Sequence, residues 1–387
     1  MRLQSYACAY PSLRESLFVS TTPTVYDVAQ QSGVSIATVS RVYRNPDSVR
    51  VETRERVLAA ARALGYVPSG NARGLASRST GVLGLCFPDY SDPDAEAEAI
   101  EAEEEDAATL YSDQIIRGME RAARRHGYAL LIAASLEGGP ESLVAKVAGR
   151  VDGFAVLART VPTQELEVIS RRQPVVMLAG PREGTDHLDH LDHIEVANFD
   201  GQHELTRHLI EDHGLRRPAY IGSAEESPDV EARFRGYLAA CRSGGVQVSD
   251  EPDLRVAMMT QAEGQRAVDV LLAREGERPD ALVFANDQLA VGALHALQQQ
   301  GLRVPEDVVV TGFDGIPLSR LVRPALTTVR QPMLRMGEEA VELLIKRLTG
   351  ARDAEPVSVM LPVTVVRRAS CGCGREKDAG RGRHGRH

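Results

Sequence analysis

Between Thr24 and Gly65 apolar residues recur at helical spacing in three short runs. Val25, Val28 and Ala29 share one face of a first helix, for which Thr24 is a suitable N-cap. Gly33 ends that helix, Val34 turns inward, and Ser35 caps a second helix over 36–43 with Val39 and Val42 facing the core. After Asn45-Pro46-Asp47 a third helix from about Thr53 carries Val57, Leu58, Ala61 and Leu64 and stops at Gly65. The predicted unit is helix, tight glycine turn, helix, closed by a third helix into a minimal core.

Beyond Pro68 the pattern weakens. The segment from Ser69 to Arg78 holds Gly70 and Gly74 where a helix would otherwise run, and each glycine costs about 1 kcal/mol relative to alanine. Alone it is marginally helical and reads as a linker able to fold on binding. From Gly81 short β-branched runs alternate with amphipathic helices. The predicted strands are Val82 to Phe87, Tyr128 to Ala133, Gly153 to Leu157, Pro174 to Leu178, a run from Glu195 to Asn198, Pro218 to Ile221, Ala281 to Ala285 and Val308 to Gly312. Strand–helix alternation of this length implies an α/β body with two doubly wound, mostly parallel sheets, joined to a small all-α head. Ligands of such sheets sit beyond the carboxyl ends of the strands, which singles out Asp89 and Tyr90, Asn286 and Asp287, and Asp314.

The resulting organisation is an N-terminal extension over 1–20, expected to be disordered, a helical head over 21–67, a hinge over 68–80, a two-lobed body over 81–370, and a disordered basic tail over 371–387. Charge then changes the picture. The chain carries a formal charge of −9, yet 21–80 holds eight arginines against four acids, so a basic footprint is confined to the head and hinge. Within the body, 92–106 has nine acids and no base, which reads as a solvated insertion. The tail from Gly374 has five bases and two acids and could add non-specific affinity for polyanions.

Five scattered cysteines do not form a disulfide framework and suit a reducing cytoplasm. No run reaches the ~18–20 apolar residues of a membrane span, and the first twenty residues lack the features of a signal peptide. Cys371-Gly372-Cys373 lies beside glycine-rich tail with no histidine or cysteine at finger spacing, so it reads as part of the tail. The run from Asp186 to His193 alternates aspartate and histidine in a three-residue repeat; surface loop and metal site are both open readings, the loop being favoured. No metal or cofactor is expected.

Thr24-Val25-Tyr26-Asp27-Val28-Ala29, Gly33-Val34-Ser35-Ile36-Ala37-Thr38-Val39-Ser40-Arg41-Val42, Thr53-Arg54-Glu55 and Leu64-Gly65-Tyr66-Val67-Pro68 together resemble the signature of the LacI/GalR family of bacterial repressors. The likeness continues through Ala72, Arg73, Leu75 and Ala76, Asp152-Gly153-Phe154, Arg233-Phe234-Arg235-Gly236, Ala285-Asn286-Asp287, Gly312-Phe313-Asp314 and Leu326 to Pro332. It leaves out the first twenty residues, the acidic insertion and the tail. The resemblance implies a homodimer that binds a near-palindromic double-stranded operator. It also implies a body of the periplasmic-binding-protein type, with a small-molecule effector, a sugar or related metabolite, between two lobes.

In such a head the recognition helix enters the major groove by its N-terminal end. Ile36 and Ala37 then offer apolar contact to base edges, Arg41 polar readout, and Thr24, Tyr26, Ser35, Thr38, Ser40 and Arg44 further contacts. Asn71 and Ala72 belong to the matching hinge helix, whose Leu75 corresponds to a wedge inserted at a central base step. Asp89, Tyr90, Arg233, Asn286, Asp314 and Gln331 correspond to effector-site positions.

Three features depart from the family pattern. Arg44 stands where the family usually has asparagine, which follows here as Asn45; Met259 stands nearest the position of a sugar-stacking aromatic ring; and the acidic insertion follows the first body strand. Two rival functions remain, an enzyme and a solute-binding protein built on the same body. No phosphate loop, nucleophile elbow or zinc-protease motif supports the first, and the attached head opposes the second.

Overall fold

The structure is a computed structural model that describes residues 22–67, 79–89, 109–136, 147–158, 160–180, 190–224, 227–350 and 355–374. The chain divides into two compact units between Arg78 and Ser79. In the first, α1 (Val25–Ser32), α2 (Ile36–Arg44) and α3 (Val51–Leu64) bury Val28, Val39, Val42, Val57, Ala60 and Ala61 against one another. Gly33 and Gly65 end α1 and α3 in the left-handed conformation, each with its N–H turned back to the last carbonyls of the helix. The third helix starts two residues before the predicted Thr53, where the Arg54 N–H already bonds the Arg50 carbonyl at 3.0 Å.

The second unit starts on a carboxylate. Asp152 accepts the Thr80 and Gly81 N–H groups at 2.6 and 2.9 Å and the Ser79 hydroxyl at 2.6 Å, which anchors the chain as it enters the first strand. The first lobe contains β1 (Val82–Asp89), α4 (Thr109–Arg125), β2 (Ala129–Leu136), β3 (Gly153–Leu157), α5 (Thr163–Ser170), β4 (Val175–Leu178) and β5 (Asp192–Val196). The second contains α6 (Asn198–Glu211), β6 (Pro218–Ser223), α7 (Pro228–Ser243), β7 (Leu254–Val256), α8 (Gln261–Leu272), β8 (Ala281–Phe284), α9 (Asp287–Gln299), β9 (Val309–Asp314) and β10 (Thr327–Arg330). Then α10 (Met333–Leu348) returns to the first lobe, β11 (Ser358–Leu361) joins its sheet, and β12 (Thr364–Val366) joins the other.

Among the described residues each sheet has six strands, in the orders β11-β5-β4-β3-β1-β2 and β12-β10-β9-β8-β6-β7. Every pairing is parallel except that of β10 with β12. The central strands β4, β8 and β9 are buried along their whole length, as parallel strands covered by helices on both faces must be. Among the described residues the chain therefore passes between lobes three times, near Ala197, at Gln331-Pro332, and at Pro362-Val363. Two of these passages touch, through the Ala197 N–H and the Leu361 carbonyl at 3.0 Å.

Two sequence expectations are corrected. The strand foreseen over Glu195 to Asn198 lies earlier, at Asp192–Val196, and it buries Asp192. A charged residue enters a sheet there because distant residues neutralise it: Arg347 on α10 donates to its carboxylate at 2.6 and 2.8 Å, and the Val357 N–H at 2.8 Å. His190, in the exposed turn before β5, lies 2.9 Å from Ser170 Oγ, and His193, within the strand, lies 3.1 Å from the Leu191 carbonyl; the rest of the Asp–His run, 186–189, lies outside the described residues. Secondly, the boundary of the disordered tail at 371 is too early. Ala369–Cys371 form a 3-10 turn with Ser370 and Cys371 buried, because the Ser370 hydroxyl bonds the Val310 carbonyl at 2.6 Å and accepts the Thr327 N–H at 2.8 Å. The acidic insertion and residues from 375 onward lie outside the described residues.

Helices cover the sheets in pairs that approach closely at glycine. A Cβ at Gly118 of α4 would strike the Leu334 carbonyl of α10, and one at Gly337 of α10 would strike the Ile115 carbonyl of α4. Gly264 of α8 and Gly292 of α9 are related in the same way. Gly337→Ala should therefore lower body stability by about 1–3 kcal/mol through forced separation of α4 and α10. Urea denaturation checks this; an unchanged midpoint would mean the pair can separate freely.

Candidate nucleic-acid interface and ligand site

The head presents the amino end of α2 to solvent. Ser35 caps it, its Oγ accepting the Thr38 N–H at 3.2 Å and lying 2.9 Å from Thr38 Oγ1. Between them these hydroxyls share one hydrogen bond, so one proton is left for an external acceptor. Ile36 is 39% exposed and Ala37 is exposed, so neither belongs to the core formed by Val39 and Val42. Arg41 is exposed and Ser40 half-buried. Ala37, Arg41, Asn45 and Ser48 line one open depression, so Asn45 and Ser48 join a surface that the sequence places at the starts of α1 and α2 and along α2.

Tyr26, in the first turn of α1, is 68% exposed. Thr24 is differently placed: its N–H and its hydroxyl both donate to Asp27 Oδ2 at 2.7 Å. That holds the Asp27 carboxyl below its ordinary range and occupies the Thr24 hydroxyl proton, so Thr24 orients α1. Arg44 closes α2. Asn71, Ala72 and Leu75 lie outside the described residues.

In the body the second site gathers at the carboxyl ends of the second sheet, beside the passages between lobes. Arg233 on α7 is buried. Its Nε donates to Asn198 Oδ1 at 2.9 Å, its Nη1 donates to the Ala285 carbonyl at 2.7 Å and lies 3.3 Å from Asp314 Oδ1, and its guanidinium sits 3.9 Å over the Phe313 ring. Asp314, the last residue of β9, also accepts Gln331 Nε2–H at 2.7 Å. Burial raises the Asp314 carboxyl to about 6, even though Arg233 and Gln331 favour its charged form.

Asp314 has φ of 109°, a region that L residues seldom adopt and that costs about 1–3 kcal/mol. It is held there by what surrounds it. Gly312 can hold no side chain, since a Cβ would strike the Asp287 carboxylate, and a Cβ at Gly315 would meet Arg330. Asp287 accepts the Ile316 N–H at 2.9 Å and the Thr328 hydroxyl at 2.5 Å, and burial pushes its own carboxyl well above the ordinary range. The Gly-Phe-Asp turn is thus a built support for one strained carboxylate.

Arg233, Asp314 and Gln331 are brought together as the sequence suggested. Asn286 is used otherwise: its Oδ1 caps α9 on the Leu289 N–H at 2.9 Å, and its Nδ2 donates to the Met259 carbonyl at 3.1 Å. Asp89 ends β1 in the other lobe, and Tyr90 lies outside the described residues. Two members of the network were missed. Asn198 donates Nδ2–H to Asp229 Oδ1 at 2.7 Å, and Asp229 also accepts the Gly180 N–H of the first lobe at 3.1 Å. Burial raises the Asp229 carboxyl as well. Asp229 stands one helical turn before Arg233, a spacing visible in the sequence. A strand over Glu195 to Asn198, as the sequence predicts, puts Asn198 inside the strand, whereas the observed strand ends at Val196 and leaves Asn198 just beyond it.

Three kinds of likeness to known proteins agree with this geometry. Residues 24–69 match a sequence profile described as bacterial regulatory proteins, lacI family, and 206–371 match one described as periplasmic binding protein-like domain. Catabolite control protein A of Priestia megaterium is 33% identical over 328 residues, covering 84% of this chain and 92% of that protein. The crystal structure of the lac repressor dimer bound to operator and the anti-inducer ONPF is 25% identical, with a TM-score of 0.74 over 91% of this chain and 99% of the other. The complex of the transcriptional regulator CelR with cellobiose is 29% identical, with a TM-score of 0.64 over 90% and 99%. With an exposed recognition helix in its head and a polar network at the passages between two α/β lobes, this chain belongs to the lacI family of bacterial regulatory proteins and is a DNA-binding regulator of transcription.

Proposed function

We propose that the protein is a repressor that binds a near-palindromic operator as a homodimer and responds to a polyhydroxylated metabolite, a sugar or sugar derivative, received between its lobes. The carrying observation is the buried Arg233–Asp314–Gln331 network, a guanidinium and a carboxylate placed where the chain passes between lobes. Vicinal hydroxyls both donate and accept, and such a pair offers them one partner of each kind. The relatives support both halves of the reading, one held on operator as a dimer and one in complex with cellobiose.

On DNA, Ile36 and Ala37 supply apolar contact, Arg41 reaches a guanine edge or phosphate, and Ser35, Thr38, Ser40, Tyr26 and Arg44 fix the register. Thr24 acts through Asp27. Asn71, Ala72 and Leu75 form the hinge, with Leu75 as the minor-groove wedge; this assignment rests on the family resemblance.

Asp229 joins Asn198 in one lobe to the Gly180 N–H of the other, so a ligand that draws on Arg233 and Asp314 acts on groups that also bond the two lobes together. Effector and operator then favour different lobe arrangements, with a reciprocal coupling of about 1–3 kcal/mol.

Three outcomes follow. Leu75→Ala should weaken operator binding far more than binding to random DNA, and equal losses in a titration of both would remove the wedge. Arg233→Ala and Asp314→Ala should leave operator binding in place and abolish its response to saturating ligand; retention of the full response in both would remove the site. Because Asp314 accepts hydroxyls as a carboxylate and titrates at about 6, acidification should weaken ligand affinity by roughly tenfold between pH 7 and pH 5. Calorimetry across that range checks the sign, and affinity that rose on acidification would contradict it.

A further inference from the structure

Four side chains remote from the ligand site aim their donor atoms at one point. His208 near the carboxyl end of α6, His213 just beyond it, and Cys371 and Cys373 in the turn after β12 place one ligand atom each within 4.8 Å of all the others. His208 Nε2 lies 3.2 Å from His213 Nε2, 3.7 Å from Cys371 Sγ and 3.6 Å from Cys373 Sγ, and His213 Nε2 lies 3.4 Å from Cys373 Sγ. A tetrahedral zinc ion with Zn–N of about 2.0–2.1 Å and Zn–S of about 2.3 Å separates its ligands by roughly 3.3–3.8 Å. The measured separations are close to the edges of that tetrahedron.

The surroundings select the same use. His208 is 2% exposed and Cys371 1%. His208 Nδ1 lies 2.6 Å from Asp212 Oδ2, so a proton on Nδ1 donates to the carboxylate and leaves the Nε2 lone pair facing the cluster. The Thr327 hydroxyl stands 3.1 Å from Cys371 Sγ, in position to donate to a thiolate. Asp212 has Arg367 beside it at 3.5 Å. Two thiolates and two neutral imidazoles balance a divalent cation, so the loaded site adds no net charge to the interior.

We propose that His208, His213, Cys371 and Cys373 bind a zinc-class divalent cation in a closed, four-ligand structural site. Each cysteine thiol releases its proton to solvent as its sulfur bonds the metal; no redox change is involved. The site ties α6 to a turn 163 residues later in the chain. It does not serve the effector, since Asn198 and His208 are ten residues, or about 15 Å, apart along α6. Nor does it depend on the reading of the ligand site. His-x4-His has the spacing of a zinc-finger histidine pair, but its cysteine partners are brought to it only by the second sheet.

The test uses the full chain, purified under reducing conditions. Elemental analysis should find one zinc per chain, and protein stripped with a chelator and titrated with cobalt(II) should develop the visible bands of tetrahedral cobalt and a sulfur-to-cobalt charge-transfer band, both erased by zinc. Zinc added back should raise the melting temperature. Cys373→Ser and His213→Gln should lose stoichiometric metal, and Asp212→Asn should bind about 10–100-fold more weakly. A wild-type chain that shows no charge-transfer band at excess cobalt, whether because its cysteines form a disulfide or because Cys371 pairs with a protonated His208, would overturn the proposal. So would folded Cys373→Ser and His213→Gln variants that keep zinc as the wild type does.

Discussion

A buried guanidinium needs its charge answered, and the body is organised around that need. Guanidinium groups carry their charge into the interior, so burying that of Arg233 obliges the protein to bring it acceptors. They come from separate parts of the fold: the Ala285 carbonyl after β8, Asp314 at the end of β9, and Asn198 at the start of α6. Those elements meet only when the second sheet is formed and α6 and α7 pack beside it. The strained φ of Asp314 and the close packing of Gly312 and Gly315 follow from placing one carboxylate where the guanidinium can reach it.

On the proposed reading the same network couples ligand binding to lobe position. Asp229 accepts from the second lobe and from the Gly180 N–H of the first, so bonds within the site are also bonds across the passage. Sub-ångström changes at such a site are transmitted because packed interiors shift between discrete arrangements rather than yielding continuously. The close glycine contacts of α4 with α10 and of α8 with α9 keep each lobe stiff enough to move as a body.

The head follows a different economy of forces. Its core is three short helices, and its polar exposed residues sit at the amino end of α2, where unpaired N–H groups favour an anion. Cys371 and Cys373 show the converse: glycine-rich, polar sequence becomes interior once Ser370 bonds the second sheet and the turn closes over His208.

Sequence alone determined what depends on local spacing. The three head helices, their capping serine and glycines, and seven body strands were legible because apolar period and backbone conformation are set within a few residues. Arg233, Asp314 and Gln331 were legible too, through family resemblance and because ligand sites follow strand ends. Tertiary structure decided whatever depends on a distant partner. Asp192 enters β5 because Arg347 neutralises it, Asn286 turns to cap α9 beside Met259, and Asn198 becomes a site residue only when Arg233 reaches it, with Asp229 joined through Asn198. The edge strands β7, β11 and β12 are three or four residues long and mostly exposed or half-buried, so they lack the fully buried apolar run that marks the equally short β4 and β8. The cluster of His208, His213, Cys371 and Cys373 was invisible for the same reason: the atoms that converge there are separated by most of the second lobe, and no local pattern specifies such a distance.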